Sequence, residues 1–230
     1  MYYDLIYILP ALLFSLWASA RVKITYRKYG AVRASSGMSA AEAARRILDA
    51  NGLTDVPIER VAGELTDHFD PTANVIRLSE SVYGSSSIAA IGVAAHECGH
   101  AVQYARGYLP IRIRAAIIPA TNIGSRLSVP LLLLGLFLSA VSEQLIAVAY
   151  AGVLLFGFCV LFQLVTLPVE FNASGRAVAL LSSGYLPQDE VKGVKKVLSA
   201  AALTYVAAAL QAILQLLRLV LLAGSRRRDD

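Results

Sequence analysis

Two histidines and a glutamate stand close together in one stretch of the chain, and such side chains can bind a metal ion and transfer protons. Residues 95–101 read Ala-His-Glu-Cys-Gly-His-Ala, a match to His-Glu-x-x-His. In a helix, His96 and His100 lie one turn apart on the same face, so that both imidazoles reach one metal ion. Glu97 is offset from that face, where it can hold a water molecule and take its proton. The pattern predicts a zinc peptidase; a helix with two ordinary histidines is the alternative.

The composition is typical of a membrane protein. Hydrophobic residues make up 57% of the chain and charged residues only 16%, whereas about a quarter of a soluble domain is charged. The net charge of +5 does not indicate nucleic acid, because the basic residues flank apolar segments and are not interleaved with aromatic ones; they are typical of topology signals. Cys98 and Cys159 lie in segments that cannot easily meet, so no disulfide is predicted and a reducing compartment fits.

The first apolar stretch, residues 5–20, predicts a membrane anchor. It is followed by five basic residues: Arg21, Lys23, Arg27, Lys28 and Arg33. Positive charge favours the cytoplasmic side, so residue 21 onward is expected in the cytoplasm. A cleaved signal peptide with its site at residues 18–20 is the alternative, but the amino end carries no positive charge.

A transmembrane hairpin is predicted in the middle of the chain. Residues 127–141 and 145–167 are apolar and are separated by Ser-Glu-Gln, which is the pattern of two spans joined by a short turn. Residues 109–126 mix arginines with apolar residues and are expected to lie on the membrane surface. Pro168 is expected to end the second span. Two crossings return the chain to the side from which it left.

A catalytic zinc site has three protein ligands and leaves a fourth position for water, so a third ligand is needed. A histidine six residues beyond His100 is typical of metzincins, but Arg106 stands there. The remaining candidates are His68 and the acidic residues. Glu170 is favoured because it follows the hairpin and therefore returns to the side of His96, and because it begins a later Glu-x-x-Ala stretch. Its alternative role is a carboxylate that only interacts with a helix dipole.

Residues 39–50 and 85–106 predict two helices before the hairpin. Ser39 and Glu42 form the sequence pattern of a capping box at the start of the first helix. The second helix carries the histidine motif and is expected to end at Gly107.

Residues 56–61 and 75–78 predict two short strands that form a hairpin around a turn at residues 67–71. The strand over residues 74–78 is either an exposed edge that binds an extended peptide by strand addition or an internal strand.

The last part of the chain begins with a polar helical segment at residues 187–196 and continues as an apolar helix over residues 200–223. The polar residues of that helix form one stripe at helical spacing, which is typical of packing against protein or water; they are Thr204, Gln211, Gln215 and Arg218. The tail Arg226-Arg227-Arg228 favours the cytoplasmic side, whereas four crossings from an outside start place it outside. The sequence therefore allows either three or four membrane spans.

Other polar residues are candidates for supporting roles. His68 can donate to an oxyanion or bind an ion, although a lone histidine in a turn is usually just exposed. Asn172 and Arg176 follow Glu170 on the same predicted helix, Asn172 as a residue that orients a ligand and Arg176 as an oxyanion donor. Ser174 stands where gluzincins often place an acidic residue that orients the first histidine. Cys98 points away from His96 on the helix and is expected to be packed rather than to bind metal.

Several stretches resemble the YugP-like neutral zinc metallopeptidases of bacterial membranes. They are residues 44–48, 65–71, 75–79, 87–97 and 167–174, and the likeness covers nearly the whole chain. The resemblance implies an integral-membrane zinc peptidase, similar in layout to the HtpX-type and CAAX prenyl proteases. It implies that His96, His100 and Glu170 bind Zn²⁺ and that Glu97 is the catalytic base. Asn172 stands at a position where the family is expected to have Asp.

The sequence therefore predicts a mainly α integral membrane protein with a zincin-like, gluzincin-type metal helix, a small strand-bearing cytoplasmic domain and three to four transmembrane helices. The expected parts are an anchor (1–20), a zincin-like domain (21–126), a transmembrane hairpin (127–167), a third-ligand region (168–199) and an apolar helix with a basic tail (200–230). The expected function is zinc-dependent endoproteolysis of membrane or misfolded polypeptides in the bacterial cell membrane. A non-catalytic zinc-binding membrane scaffold is the alternative.

Overall fold

The computed structural model describes residues 2–225, with side chains from residue 8 to residue 224, and this part of the chain is mainly helical. Its helices are α1 Tyr2–Gly30, α2 Ala40–Ala50, α3 Glu80–Tyr83, α4 Ile88–Ala105, α5 Leu109–Leu138, α6 Ile146–Ser182 and α7 Gln188–Ser225. Its strands are β1 Ile58–Val61, β2 His68–Asp70 and β3 Val75–Ser79. The basic tail at residues 226–228 lies outside the described residues.

The chain divides into two compact units. The sheet unit consists of Ala18–Ile111 and Pro168–Leu203, and the helical unit consists of the chain up to Trp17, Arg112–Leu167 and the chain from Thr204 onward. The chain thus leaves the sheet unit after Ile111 and enters it again at Pro168. Residues on either side of the predicted membrane hairpin therefore belong to one unit.

Three strands form the sheet of the sheet unit, in the order β1-β3-β2. β1 pairs with β3 in parallel, with Ile58 opposite Ile76, and β2 pairs with β3 antiparallel, with Phe69 opposite Ile76. The predicted hairpin between residues 56–61 and 75–78 is therefore wrong. A turn does follow Asp70, slightly later in the chain than predicted and between β2 and β3. There the Asp70 carboxylate accepts hydrogen bonds from the backbone N–H groups of Thr72 and Ala73.

β3 is the central strand, and four of its five residues are buried. The prediction that this strand offers an exposed edge for a substrate is therefore excluded, and the alternative of an internal strand is confirmed. β3 lies between β1 and β2, so it offers no free edge along which a further strand could bind.

α2 forms its predicted cap, and α2 and α4 supply much of the core of the sheet unit. The Ser39 side chain accepts from the backbone of Glu42, and the Glu42 side chain accepts from the backbone of Ser39, so the capping box is confirmed. Ser87 caps α4 by accepting a hydrogen bond from the N–H of Ala90. Ile47, Leu48 and Ile91 are fully buried between the helices and the sheet, so the helix with the histidine motif is fixed by packing as well as by its cap.

α5 and α6 are longer than their sequence patterns predict. α5 runs through Pro119 and Pro130, so residues 109–126 continue directly into the apolar segment. α6 runs through Pro168, so the prediction that Pro168 ends a helix is wrong. Proline is tolerated inside membrane helices because neighbouring groups can satisfy the freed backbone carbonyl. Glu170 consequently lies inside a long helix instead of at the start of one.

The helical unit packs α5 against α6. Gly135 lies against the backbone of Ala149, and Gly152 lies against the backbone of Ser128, at positions where any Cβ atom would overlap with the facing helix. Small residues of this kind let membrane helices approach closely. The two contacts run in opposite chain directions, as the predicted hairpin requires.

Within the part of the chain that the structure describes, four helices are long and apolar enough to cross a membrane. They cover Ile8–Gly30, Leu109–Leu138, Glu143–Ser182 and Gln188–Gly224. In the most apolar window of each, at most 28% of the residues are buried within the protein, so large apolar side chains such as Phe137 and Leu154 face outward. Such surfaces are stable against lipid rather than water. The polar segment and the apolar helix predicted near the carboxyl end form one helix, α7.

Candidate metal centre

α4 and α6 bring three potential metal ligands together in the sheet unit. His96 and His100 lie one turn apart on α4, as their spacing predicts, and their ring centroids are 4.7 Å apart. Glu170 projects from α6. Its Oε2 lies 3.2 Å from His96 Nε2 and 3.5 Å from His100 Nε2. One ligand atom from each residue lies within 4.8 Å of the others, so the three side chains converge on one point.

The three side chains fit a zinc ion. Nitrogen and oxygen ligands lie about 2.0–2.2 Å from zinc, so two ligands of a tetrahedral site are separated by about 3.3–3.6 Å. The two distances from Glu170 to the histidines are close to this range. The set of two imidazoles and one carboxylate is that of catalytic zinc sites, which leave a fourth position open. All three side chains are at least 87% buried, since their exposed fractions are 13%, 11% and 5%, so the site is shielded from bulk water.

Each histidine is held from behind through its other ring nitrogen. Nδ1 of His100 lies 3.0 Å from Oε1 of Gln103, and Nδ1 of His96 lies 3.2 Å from Oγ of Ser174. A carboxamide oxygen can only accept, so His100 carries its proton on Nδ1 and directs the lone pair of Nε2 toward the site. The Ser174 hydroxyl can either accept from or donate to Nδ1 of His96, so this contact orients the His96 ring. Such partners fix the ring orientation and the tautomer of metal ligands.

Gln103 is fully buried, and both of its N–H donors and its amide oxygen have hydrogen-bond partners. Its Nε2 donates to Val169 O at 2.8 Å and to Asn172 Oδ1 at 2.9 Å. Arg176 Nε donates to the same Asn172 oxygen at 2.8 Å. Gln103 has no role in the sequence-based prediction, although its position three residues after His100 places it on the same helix face. Only the contacts from α6 reveal the role.

A glycine allows the two helices to come this close. A Cβ atom at Gly99 would lie 2.6 Å from the backbone oxygen of Ala173, nearer than real Cβ atoms approach. Gly99 lies between the two histidines in the sequence, and Ala173 is three residues from Glu170. The absence of a side chain at this position therefore permits the short distance between the potential metal ligands of α4 and the one on α6.

Glu97 is buried, and its carboxylate is held by the sheet. Its Oε2 accepts a hydrogen bond from the backbone N–H of Phe69 in β2, at 3.0 Å. The negative charge of Glu97 also affects the pKa of His100. Burial favours the neutral form of this histidine, but hydrogen bonding to Glu170 and the negative charges of Glu97 and Glu170 outweigh burial and raise the pKa of His100. The site therefore has an excess of negative charge, which favours a cation.

His68, Arg176 and Cys98 lie outside the converging group. His68 is exposed on β2, and its Nδ1 contacts the backbone oxygen of Thr66 at 2.7 Å. The side chain of Arg176 contacts Asn172, as described above. Cys98 is fully buried on the side of α4 that faces α2, with its Sγ 3.6 Å from Ala44 O. Burial raises the pKa of the Cys98 thiol, which favours the neutral packed form over a metal-binding thiolate.

A family model described as "Putative neutral zinc metallopeptidase" matches residues 4–224, which is nearly the entire chain. The chain belongs to this family. It is also 52% identical over 223 residues to a Bacillus subtilis (strain 168) protein described as "Putative membrane protease YugP", a match that covers 96% of this chain and 97% of the relative. No solved structure matches the chain. The resemblance identified from sequence motifs is therefore confirmed, and family membership supports a peptidase, zinc and a membrane location.

Proposed function

We propose that this protein is a zinc-dependent endopeptidase that is embedded in the bacterial cell membrane. The observation that carries the proposal is the convergence of His96, His100 and Glu170 on one point, next to a buried glutamate that follows the first histidine. A purely structural zinc site uses four protein ligands and needs no base. Here the described residues supply three ligands, and Glu97 is available as the base.

The three converging side chains would hold the metal, His96 and His100 through Nε2 and Glu170 through Oε2. Zinc held by these residues would supply Lewis-acid chemistry, namely polarisation of the scissile carbonyl and a lower pKa of a water molecule. The buried position of the ligands excludes bulk water, which strengthens electrostatic interactions within the site. The α4 helix and the adjoining sheet would thus form a zincin-like domain of the gluzincin type.

Glu97 would transfer the protons of the reaction. Its carboxylate takes a proton from the attacking water and later donates it to the nitrogen of the leaving group, so that no net proton is consumed in this exchange. The hydrogen bond from Phe69 N–H orients the carboxylate and leaves its other oxygen for the water. Because Phe69 belongs to the sheet, the base is positioned by an element other than the helix that carries it.

The remaining candidates would have supporting roles. Asn172 accepts from Gln103 and Arg176, so we assign these residues to positioning His100 rather than to contact with the oxyanion. His68 precedes Phe69 on β2 and is exposed, which leaves it as the candidate donor to the oxyanion that develops on the peptide carbonyl.

The proposed topology places the sheet unit in the cytoplasm. The basic residues that follow residue 20 favour this side, and two crossings between α4 and Glu170 keep both halves of the metal centre on it. The proposed substrates are membrane or misfolded polypeptides, because the site belongs to a protein whose other helices are suited to lipid. The proposal includes no nucleic-acid partner, because the basic residues of the sequence flank apolar segments and are not interleaved with aromatic ones.

The decisive experiment compares the wild-type protein with Glu97→Gln, using casein as the substrate and purified full-length protein with zinc. The variant is expected to retain zinc and to lose cleavage by at least about a hundredfold, because it keeps the shape of the side chain but loses the base. Glu143→Gln is the matched control, since Glu143 is exposed in the turn between α5 and α6, and it should cleave like the wild type.

Two outcomes would overturn the proposal. Equal cleavage by the wild type and Glu97→Gln would exclude Glu97 as the base. Stoichiometric zinc without cleavage by either protein would favour the non-catalytic scaffold. For the ligand set, Glu170→Ala should lose zinc while Glu143→Ala keeps it, and full zinc occupancy in Glu170→Ala would place the third ligand elsewhere.

A further inference from the structure

We propose that the helical unit contains a second binding site, an intramembrane cavity that binds an unwound segment of a polypeptide through uncharged amide groups. The proposal rests on the peptidase function proposed above and concerns how a membrane-embedded substrate is held. It is carried by a different part of the chain, since no residue that lines the cavity belongs to the sheet unit.

The cavity has a volume of about 380 Å³ and is lined by all four long helices. Leu12 of α1 and Phe156 of α6 belong to its apolar wall, and the polar wall includes three glutamines, Gln163 of α6 and Gln211 and Gln215 of α7. The two glutamines of α7 are members of the polar stripe identified in the sequence. The stripe therefore faces a cavity, and not only a neighbouring helix.

The three amides lack hydrogen-bond partners among the residues that the structure describes. In contrast, Thr204 and Arg218 of the same stripe do make interactions. Gln211 is exposed and Gln163 and Gln215 are partly buried, so in a bilayer these amides would face the cavity or lipid, where an amide without a partner is costly. Polar side chains at membrane depth that face a cavity are a feature of binding sites. The cavity is thus suited to a partner that can both donate and accept hydrogen bonds.

The chemistry of the wall selects the class of ligand. None of the residues that line the cavity carries a charge, which disfavours a phosphate headgroup or a metal ion. A lipid acyl chain fits the apolar wall but cannot bond to the amides. A regular helix has a diameter of about 10–12 Å and already pairs its own backbone groups. An unwound segment has unpaired N–H and C=O groups that match glutamine amides, and an endopeptidase must act on such a segment.

The test uses full-length Glu97→Gln protein in nanodiscs, which binds substrate without cleaving it. The probe is a fluorescent 24-residue Leu/Ala transmembrane peptide with a central Asn-Gly-Pro interruption, and the same peptide without the interruption is the comparison. Removing two amides with Gln211→Leu and Gln215→Leu together should weaken binding of the interrupted peptide about tenfold, from the usual strength of side-chain hydrogen bonds in membranes. Replacing the same two residues with asparagine, which keeps the amides, should preserve part of the affinity.

Three controls make the result interpretable. Leucine is compatible with a membrane helix, and the zinc content of the double variant reports whether the protein has folded. Gln144→Leu removes a glutamine from the exposed turn between α5 and α6 and should leave peptide binding unchanged. Wild-type cleavage of casein, measured separately, reports on the peptidase function itself, so the two proposals can fail independently.

Unchanged binding of the interrupted peptide by the leucine double variant would overturn the proposal. Equal affinity for the interrupted and the uninterrupted peptide would also overturn the proposal, because the amides would then not distinguish an unwound backbone from a helical one. Release of a spin-labelled lipid by the double variant, with unchanged peptide binding, would assign the cavity to lipid instead.

Discussion

Replacing Gln103 with leucine tests whether the metal centre depends on the amide behind His100. The variant removes the acceptor for Nδ1–H of His100 and the two donors to Val169 O and Asn172 Oδ1. Loss of such a partner typically lowers metal affinity 10–100-fold, or about 1.4–2.7 kcal/mol. Leaving the buried Nδ1–H group of His100 without an acceptor also costs about 1–3 kcal/mol of folding free energy. We therefore expect weaker zinc binding together with a lower melting temperature.

Zinc affinity must be separated from stability in this experiment. The dissociation constant is measured by competition with a chromophoric chelator, well below the melting temperature of the variant, in protein that circular dichroism shows to be folded. Gln103→Glu is the informative partner, because its carboxylate still accepts from His100 but cannot donate to Val169 O or Asn172 Oδ1. It should bind zinc more tightly than Gln103→Leu, although it is also destabilised. Gln144→Leu is the control, because Gln144 is an exposed glutamine of the helical unit and does not belong to the sheet unit.

A spectroscopic signature distinguishes positioning from general loss of structure. Cobalt substituted for zinc reports the geometry of its ligands through its visible absorption. The spectrum of Gln103→Leu should differ from that of the wild type, while the spectrum of Gln103→Glu remains close to it. The reasoning is refuted if folded Gln103→Leu binds zinc within twofold of the wild type, or if the two variants lose affinity equally.

Three further predictions follow from the packing, the cap and the metal. Gly99→Ala should lower the free energy of unfolding by about 1–3 kcal/mol and also lower zinc affinity, because its Cβ would press on Ala173 O. Thermal denaturation measures the first effect and chelator competition the second. No change in either quantity would show that α6 can move to accommodate the methyl group. Ser39→Ala should lower stability by about 1 kcal/mol through loss of the α2 cap without changing zinc affinity, whereas the exposed Ser36→Ala should change neither. Chelation by 1,10-phenanthroline should abolish casein cleavage, and zinc but not magnesium should restore it; cleavage that survives complete removal of metal would contradict a zinc mechanism.

The local patterns in the sequence were sufficient for the first half of the metal centre. The spacing of His96 and His100 depends only on helical periodicity, and the cap at Ser39 depends on a residue three positions away. The membrane hairpin could be predicted from hydropathy, which is a property of composition over about twenty residues. Each of these features is set by short-range interactions, so one sequence was enough to find them.

Errors arose where a local signal competed with a longer-range one. Proline normally ends a helix in water, but α6 continues through Pro168, since the surrounding structure and an apolar environment favour an unbroken helix. β2 is only three residues long, and His68–Asp70 form a strand because β3 supplies backbone partners. A segment this short has no periodicity from which a strand could be recognised.

The sequence by itself determined the ligand types, their spacing on α4, the membrane character and the family. Only the tertiary structure decided which groups complete the site. The close approach of α6 at Gly99 brings Glu170 near the histidines. Gln103 holds the His100 ring, and the backbone N–H of Phe69 orients Glu97. The physical reason is that a helix specifies the positions of its own side chains, whereas their partners come from segments up to 78 residues away in the chain. These segments come into contact only when α4, α6 and the sheet pack together.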